Sequence, residues 1–527
     1  SKEKKIATVS KKGVVKGKRA GKTKITAKVK GKKLVCRLTV KAKKKRVITT
    51  AEATPQGEKK PAPQVTQTPG GTDKPSASPA IEPVVTPTAV PTPTPVDTSK
   101  PEPVFSKESG SYDKSFELSL HAPKGSKIYY TTDGSEPDVS SVGGSVKDTV
   151  PAKLPTNEYK QAITVKNRDN DENRLCSKVN IPYMYDPTDY YNGPFYPEVS
   201  AVPKATVIRA MAVDEKGNTS KTVTKTYFVD KDLAEVYKNA SVISVVTDPD
   251  NLLSEEKGIY RYGNWENSGA EWERPAAVTY FEEDGTIPFE TTMGMRIHGN
   301  YTRRWGQKSL RFYFREELGL KNLKGYQLIP GAVNADGKPT KKYKRFILRN
   351  GGNEYAYSKM QDVFIQSLVS DRAFATQSSR PCVLFLNGEY WGLYNLMERY
   401  SDNYLEEEFG VDKDNVVVIK NDELDEGKEE DYALYEQLQA MADLDMSLTD
   451  NYEKFKKMVD IQSYLDYYAT EIYIGNKDWP DNNVQLWRTR EDDGSDYGDT
   501  KWRYMLYDTE YSMNLWGQDN NGNTNRL

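Results

Sequence analysis

Two short stretches of this chain carry side chains whose types and spacing could do chemistry. The first is Asp478-Trp-Pro-Asp-Asn-Asn483 and the second is Tyr507-Asp508-Thr-Glu510. An acid, an Asn five positions on and a second Asp beyond a strand-like segment follow the order in which kinase-type phosphotransferases set out a base and metal ligands. A carboxylate such as Asp478 can accept the proton of an attacking hydroxyl. The Asn483 amide and the Asp508 carboxylate are hard oxygen donors of the kind Mg²⁺ takes beside waters and substrate phosphates. The plain alternative is a loop, because Asp, Pro and Asn clusters commonly do no more than shape turns. Asp481 and Asn482 lie close enough to Asn483 that the ligand position could shift by one.

Upstream, Gly294-Met-Arg-Ile-His-Gly-Asn-Tyr-Thr-Arg-Arg-Trp-Gly-Gln-Lys308 places three glycines and the cations Arg296, Arg303, Arg304 and Lys308 between two strand patterns. Glycine lets backbone N–H groups approach phosphate oxygens, and cations offset their charge. The segment fits neither the Walker pattern nor the ordinary kinase glycine loop.

The elements that must hold these groups follow from pattern and composition. A chain of 527 residues implies about three domains. The net charge of −1 averages a basic start, with about twenty Lys and Arg against Glu3 in residues 1–46, and an acidic stretch at 401–460. Those lysines alternate with Val, Ile and Leu, as on the wet face of strands, with no interleaved aromatics, so nucleic acid is not expected. Cys36, Cys176 and Cys382 form no CxxC pair, and His121 and His298 are the only histidines. A zinc site or His-based triad is therefore not expected. No apolar run is long enough to cross a bilayer.

Residues 1–42 read as short hairpins with Gly turns, and 43–101 as a Pro/Thr-rich disordered linker. Residues 102–230 read as a second β module, with an insertion at 139–200. There Tyr183, Tyr185, Tyr190, Tyr191 and Tyr196 could offer a sugar-stacking surface or simply cover a sheet. From 240 to 527 the texture is α+β. Strands are expected at Val242–Val246, Ala276–Phe281, Met293–Ile297, Ser309–Phe314 and Tyr343–Leu348, and a hairpin about Asn387-Gly388. Helices are expected at Met360–Leu368, Tyr432–Met441 and Tyr452–Ile474, and a strand Trp502–Tyr507 to deliver Asp508.

Three resemblances rest on specific phrases. Ala7-Thr-Val-Ser-Lys-Lys-Gly-Val-Val with Gly21-Lys-Thr-Lys-Ile-Thr-Ala resembles half of a bacterial Ig-like group 2 domain. Lys127-Ile-Tyr-Tyr-Thr-Thr-Asp-Gly-Ser-Glu-Pro137 resembles the chitobiase/β-hexosaminidase C-terminal domain, an Ig-like sandwich. Arg296-x-His-Gly-Asn300, Lys308-Ser, Phe346-Ile-Leu-Arg-Asn350, Leu386-Asn-Gly-Glu-Tyr-Trp-Gly-Leu-Tyr394, Glu398, Asp478-Trp-Pro-x-x-Asn483 and Tyr507-Asp508-Thr together resemble the spore-coat protein H (CotH) kinase family of atypical secreted protein kinases.

That last resemblance implies a kinase-like bilobal domain at 240–527, a sheet-rich half over a helical half, truncated at its C-terminus. The whole is then a multidomain chain, with all-β Ig-like modules and a disordered linker ahead of the α+β domain. Carried onto this sequence, Asp478 is the catalytic carboxylate, and Asn483 and Asp508 hold Mg²⁺ or Mn²⁺. Lys308, helped by Arg296, contacts the ATP phosphates, and Glu398 sits at the nucleotide hinge or pairs with a cation. The implied reaction is γ-phosphoryl transfer from ATP to Ser/Thr of envelope or coat proteins, at an extracellular or cell-surface location, with possible cell-wall glycan contact through the β modules. A non-catalytic surface adhesin reusing the fold is the competing expectation.

Overall fold

The computed structural model describes residues 5, 7–9, 15–19, 21–29, 32–40, 102–144, 153–176 and 201–515. The Pro/Thr-rich stretch and the five tyrosines between 183 and 196 lie outside the described residues. Contacts divide the chain into two units, 1–84 and 85–527.

In the first unit, Gly21–Val29 pairs antiparallel with Lys32–Val40, and Ala7–Val9 pairs with Val15–Gly17. Lys22 and Lys24 are exposed while Thr23 between them is buried, the period-two alternation of a strand with one wet face.

The second unit opens with a five-stranded sheet in the order Asn157–Glu158, Lys127–Thr131, Thr206–Val213, Val223–Val229, Gly110–Tyr112. Phe116–Leu118 pairs with Ile163–Val165 and Val104–Phe105 with Leu120–His121. Leu118, Ile128, Val165, Ile208 and Tyr227 fill the core between them. The expected insertion at 139–200 is thus partly a correction: Asn157–Glu158 and Ile163–Val165 are strands of the module itself.

Seven strands then close into a barrel: β1 (Ser241–Val246), β2 (Arg274–Phe281), β3 (Phe289–Ile297), β4 (Leu310–Tyr313), β5 (Arg345–Arg349), β6 (Ser379–Leu386) and β7 (Glu389–Met397). All neighbours are antiparallel except β1 and β6, whose parallel pairing closes the ring. Met293, Met295, Ile297, Leu310, Phe312, Phe346 and Leu348 belong to the buried core cluster. The alternate positions Arg296, Arg311, Tyr313, Arg345 and Arg349 therefore point outward on β3, β4 and β5. Closure leaves no exposed sheet edge.

The β6–β7 hairpin turns at Asn387 and Gly388, both with positive φ (47° and 83°), the two-residue turn that suits strand twist. Its tip touches the preceding module. Asn387 Nδ2 donates to the Asp133 carbonyl (3.3 Å) and Ala205 N–H to the Gly388 carbonyl (2.8 Å). The Glu389 carboxylate accepts the backbone N–H groups of Leu175 (3.0 Å) and Cys176 (2.8 Å). Phe228 lies edge-on against Phe281 and Phe385.

Beyond the barrel, α1 (Gln361–Leu368) and α2 (Asp402–Phe409) precede a four-stranded antiparallel sheet. Its strands are β8 (Val416–Lys420), β9 (Glu423–Glu426), β10 (Gln485–Thr489) and β11 (Arg503–Tyr504), in the order β9-β8-β10-β11. The half expected to be mainly helical is thus built on a sheet. One face packs Val417, Ile419, Leu486 and Trp502 with Tyr435, Leu438 and Tyr467 of the helices α3 (Tyr432–Ala442) and α5 (Ile461–Ile474). The other face packs Val416, Val418 and Trp487 against Tyr404 and Leu405 of α2.

The single helix expected at Tyr452–Ile474 is two. A helix α4 (Thr449–Met458) ends where Val459 turns extended and bridges to Trp502, and Asp460 caps α5 by accepting Ser463 N–H. Helix α1 forms where expected, but Met360, Phe364 and Leu368 are exposed while Asp362, Val363, Ile365 and Gln366 are buried. Only Arg503–Tyr504 of the expected Trp502–Tyr507 strand pairs in the sheet, and Met505 bridges Ala375 instead.

Candidate active site

Gly475, in the left-handed region at φ 61°, ends α5 and releases the chain into the loop 476–484. The Asn476 side-chain oxygen accepts Asp478 N–H (3.2 Å), and the Asp478 carbonyl accepts Asn482 N–H (2.8 Å), which folds the loop back on itself. Asn483 is buried with φ 59°, and Asp508 has φ 61°. Asn and Asp are among the few side chains that tolerate this region. The Asn483 amide nitrogen donates to the Asp508 carbonyl (3.1 Å) and Tyr467 O–H to the Asn483 carbonyl (3.2 Å).

The Asp478 carboxyl is held above the ordinary Asp range, first by burial and then by the charge of Asp508, with hydrogen bonds to Asn482 and Asn483 opposing. The structure thus brings Asp478, Asn483 and Asp508 together. The Asn483 amide nitrogen is already used, so its Oδ1 is the atom left for a cation.

Asp508 is further held by Arg349 on β5. That guanidinium contacts the Asp508 carboxylate and donates to both Glu510 oxygens (2.6 and 2.7 Å), and its Nε lies 3.7 Å from Asp362. Burial would raise Asp508, but Arg349 brings it below the usual carboxylate range. Glu510 moves the other way, raised by its burial and the neighbouring carboxylates. Asp362, in the first turn of α1, accepts Thr509 N–H and O–H (2.9 Å each), and so fixes the residue after Asp508.

Two cations gathered with Arg349 around His298 have no ion-pair partner among the described residues. Arg311 on β4 donates to Tyr313 O–H (3.1 Å) and meets His298 Nδ1 (3.1 Å), while its Nε has no partner. Burial and then the charge of Arg399 push its pKa down to about 10. Lys420, ending β8, lies over the Tyr507 ring at 4.1 Å, and burial lowers it to about 8, against the pull of Asp425 and Asp508. His298 is kept neutral by burial and by the charges of Arg311, Arg349 and Lys420. Arg296, Arg303 and Arg311, with Gly299, line a cavity of about 140 Å³ at this edge of the barrel. Among the described residues no Asp or Glu lines this cavity, although Arg296 is paired with Glu273 beyond the lining, and such a wall suits a polyanion.

The other sequence-derived candidates sit elsewhere. Lys308 is buried, and its ammonium donates to the Arg303 (2.7 Å) and Trp305 (2.8 Å) carbonyls and faces the Trp265 ring at 4.3 Å. None of these contacts involves the carboxylates; it braces the loop it belongs to. Arg296 lines the cavity but is paired with Glu273 (2.6 Å), which Arg315 also holds. Glu398 accepts Ser378 N–H (2.8 Å) and is raised by burial beside Glu408, so it faces a second carboxyl group rather than a cation. Sequence reasoning missed Arg311, Lys420, Arg349 and Asp362. Each is an ordinary charged residue in its own segment, and only strand register and chain reversal bring them to Asp508.

Residues 295–526 match the family model described as CotH kinase protein, and residues 116–227 match the model described as Fn3 associated. Residues 295–526 are thus similar to a CotH kinase protein, and Asp478, Asn483, Asp508, Arg349, Asp362, Arg311 and Lys420 all fall within that stretch. The Fn3-associated match lies ahead of it, within the β module at 102–230. No curated protein matches the chain. Among the described residues no helix is long and apolar enough to cross a membrane.

Proposed function

We propose that the CotH kinase domain transfers the γ-phosphoryl group of ATP to a Ser or Thr hydroxyl of a protein, with Mg²⁺ or Mn²⁺ at the site. The observation that carries this reading is the meeting of Asp478, Asn483 and Asp508, with the unpaired cation Lys420 acting on Asp508 and Arg311 gathered with Lys420 around His298. Among the described residues no three His, Cys, Asp or Glu side chains form a metal cluster by themselves. An amide oxygen and one or two carboxylates nevertheless fit a cation that takes its other ligands from water and phosphates. When bound, such a cation would offset the negative charge of the phosphates.

The chain's own groups do the rest. Arg311 and Lys420 hold the phosphates and exclude water from them. Asp478, made more basic by its surroundings, takes the proton of the acceptor hydroxyl. Asn483 and Asp508 would hold the cation, and the Thr509–Asp362 contacts hold Asp508 in place. Positioning and charge neutralisation supply most of the rate in such reactions. A secreted or surface location fits the modular β architecture and the three widely spaced cysteines, and cell-wall glycan is a partner class for the β modules.

A second reading is favoured by one contact. The Asp508 carboxylate already has a resident cation, Arg349, as in a kinase fold kept only for binding. Calorimetric titration of the full chain with Mg²⁺ and a non-hydrolysable ATP analogue separates the two. The kinase reading expects saturable binding that Arg311→Gln weakens by at least about tenfold. Absence of binding by the unmodified chain would leave the non-catalytic reading.

A further inference from the structure

The helical face of the four-stranded sheet holds a cavity of about 480 Å³ that phosphoryl transfer does not use. Its wall is aromatic, made by Tyr435, Tyr452, Phe455, Tyr464, Tyr468 and Tyr504. Tyr468 meets Tyr504 edge-on at 5.8 Å, and Phe455 meets Tyr464 edge-on at 5.9 Å, so ring faces and edges both border the space. Two carboxylates, Asp422 and Asp481, stand at the rim, and no Lys or Arg is among the lining residues. Asp422 accepts Tyr435 O–H (2.7 Å), and neither carboxylate has an ion pair among the described residues. The neighbouring cation Lys456 lies over the Tyr452 ring at 5.2 Å and is committed to Glu453 at 2.7 Å.

Aromatic faces and uncompensated carboxylates attract the same ligand class. We propose that this cavity binds an organic cation, an ammonium or guanidinium head on an apolar body. The body lies on the tyrosine wall and the head sits between Asp422 and Asp481. A neutral ligand of the same shape gains nothing from the two charges.

The cavity also touches the loop of the candidate active site. Pro480, Asp481 and Asn482 line it and lie between Asp478 and Asn483. Tyr468 stands edge-on to Trp479 at 5.0 Å. Asn421 donates to the Asn482 side chain (2.7 Å) and accepts Val484 N–H and Tyr507 O–H (3.1 Å each). A bound cation therefore stiffens the loop carrying Asp478 and Asn483 and regulates transfer. That regulatory consequence rests on the phosphotransfer reading; the binding itself does not.

The test is a titration of the full chain with 2-phenylethylammonium and with its neutral counterpart 2-phenylethanol, read by calorimetry. The ammonium is expected to bind roughly tenfold tighter or more. The double variant Asp422→Asn, Asp481→Asn is expected to bring it down to the level of the alcohol. Asn at 422 keeps an acceptor for Tyr435 and suits the φ of 64° there, and circular-dichroism melting verifies the fold. N-acetyl-arginine amide and spermidine separate the sources. Tighter binding of the first assigns the head to a polypeptide side chain, and tighter binding of the second to a free amine. Equal affinity for ammonium and alcohol, or no ammonium binding by the unmodified chain, would overturn the proposal. The ATP analogue is titrated into the same double variant. Nucleotide binding retained while amine binding is lost shows two separate sites, and amine binding without nucleotide binding by the unmodified chain sinks only the kinase reading.

Discussion

Placing a cation in a largely buried position with no ion pair is unfavourable unless an anion arrives, because desolvation is only partly compensated. Arg311 and Lys420 are both in that state, and only Lys420 titrates in an accessible range. Its proton is present below about pH 8 and lost above it. Bound phosphates hold that proton, so nucleotide affinity is expected to weaken roughly tenfold between pH 7 and pH 9. Lys420→Arg, charged throughout, should flatten the dependence; calorimetry at both pH values checks it. An unchanged affinity across that interval in the unmodified chain would remove Lys420 from the phosphate site. The convergence of Asp478, Asn483 and Asp508 was readable in part, because Asp478 and Asn483 lie five positions apart in one loop. Lys308 reads as a phosphate ligand because it ends a glycine-bearing segment, while its ammonium donates to the Arg303 and Trp305 carbonyls. Arg311 reads as a solvated strand cation in Leu310-Arg-Phe-Tyr313. The neighbours that act on it, His298, Arg399 and Lys420, come from three other segments.

Elements hold the site through their ends. The α5 terminus at Gly475 launches the Asp478 loop, and the start of α1 clamps Thr509 through Asp362. The β6–β7 hairpin plays a similar part at the opposite end of the barrel. A Cβ on Gly388 would lie 2.6 Å from the Ala205 carbonyl oxygen, at a φ of 83° that disfavours side chains. Gly388→Ala is therefore expected to lower stability by more than about 1 kcal/mol; urea unfolding reads this, and an unchanged midpoint would contradict it. The hairpin was readable from Asn387-Gly388, since that pair dictates the turn. The split of Tyr452–Ile474 was not, because apolar spacing runs on through both helices. The break comes from Asp460, which caps α5 and pairs with Arg503 (3.2 Å) in a distant strand.

At the scale of the whole molecule, the Fn3-associated domain and the barrel share one buried joint, with Phe228 between Phe281 and Phe385 and Glu389 closing over the 175–176 backbone. Aromatic pairs of this kind add about 0.5–1.5 kcal/mol each beyond the area they bury. Residues 102–515 are accordingly expected to melt in one calorimetric transition, and Glu389→Ala should lower its midpoint; two separated transitions would contradict a shared core. Composition told the two regions apart but concealed this joint, because buried Phe and Glu side chains look the same whether they face their own domain or the next.

Asp478, Asn483 and Asp508 are proposed to form a phosphoryl-transfer site. Its most direct measurement is incubation of the full chain with Mg²⁺ and γ-labelled ATP, with phosphorylated residues mapped by mass spectrometry. Label on Ser or Thr is expected from the unmodified chain, falling at least about hundredfold in Asp478→Asn while analogue binding persists. No label from the unmodified chain, or equal labelling by the variant, would contradict it.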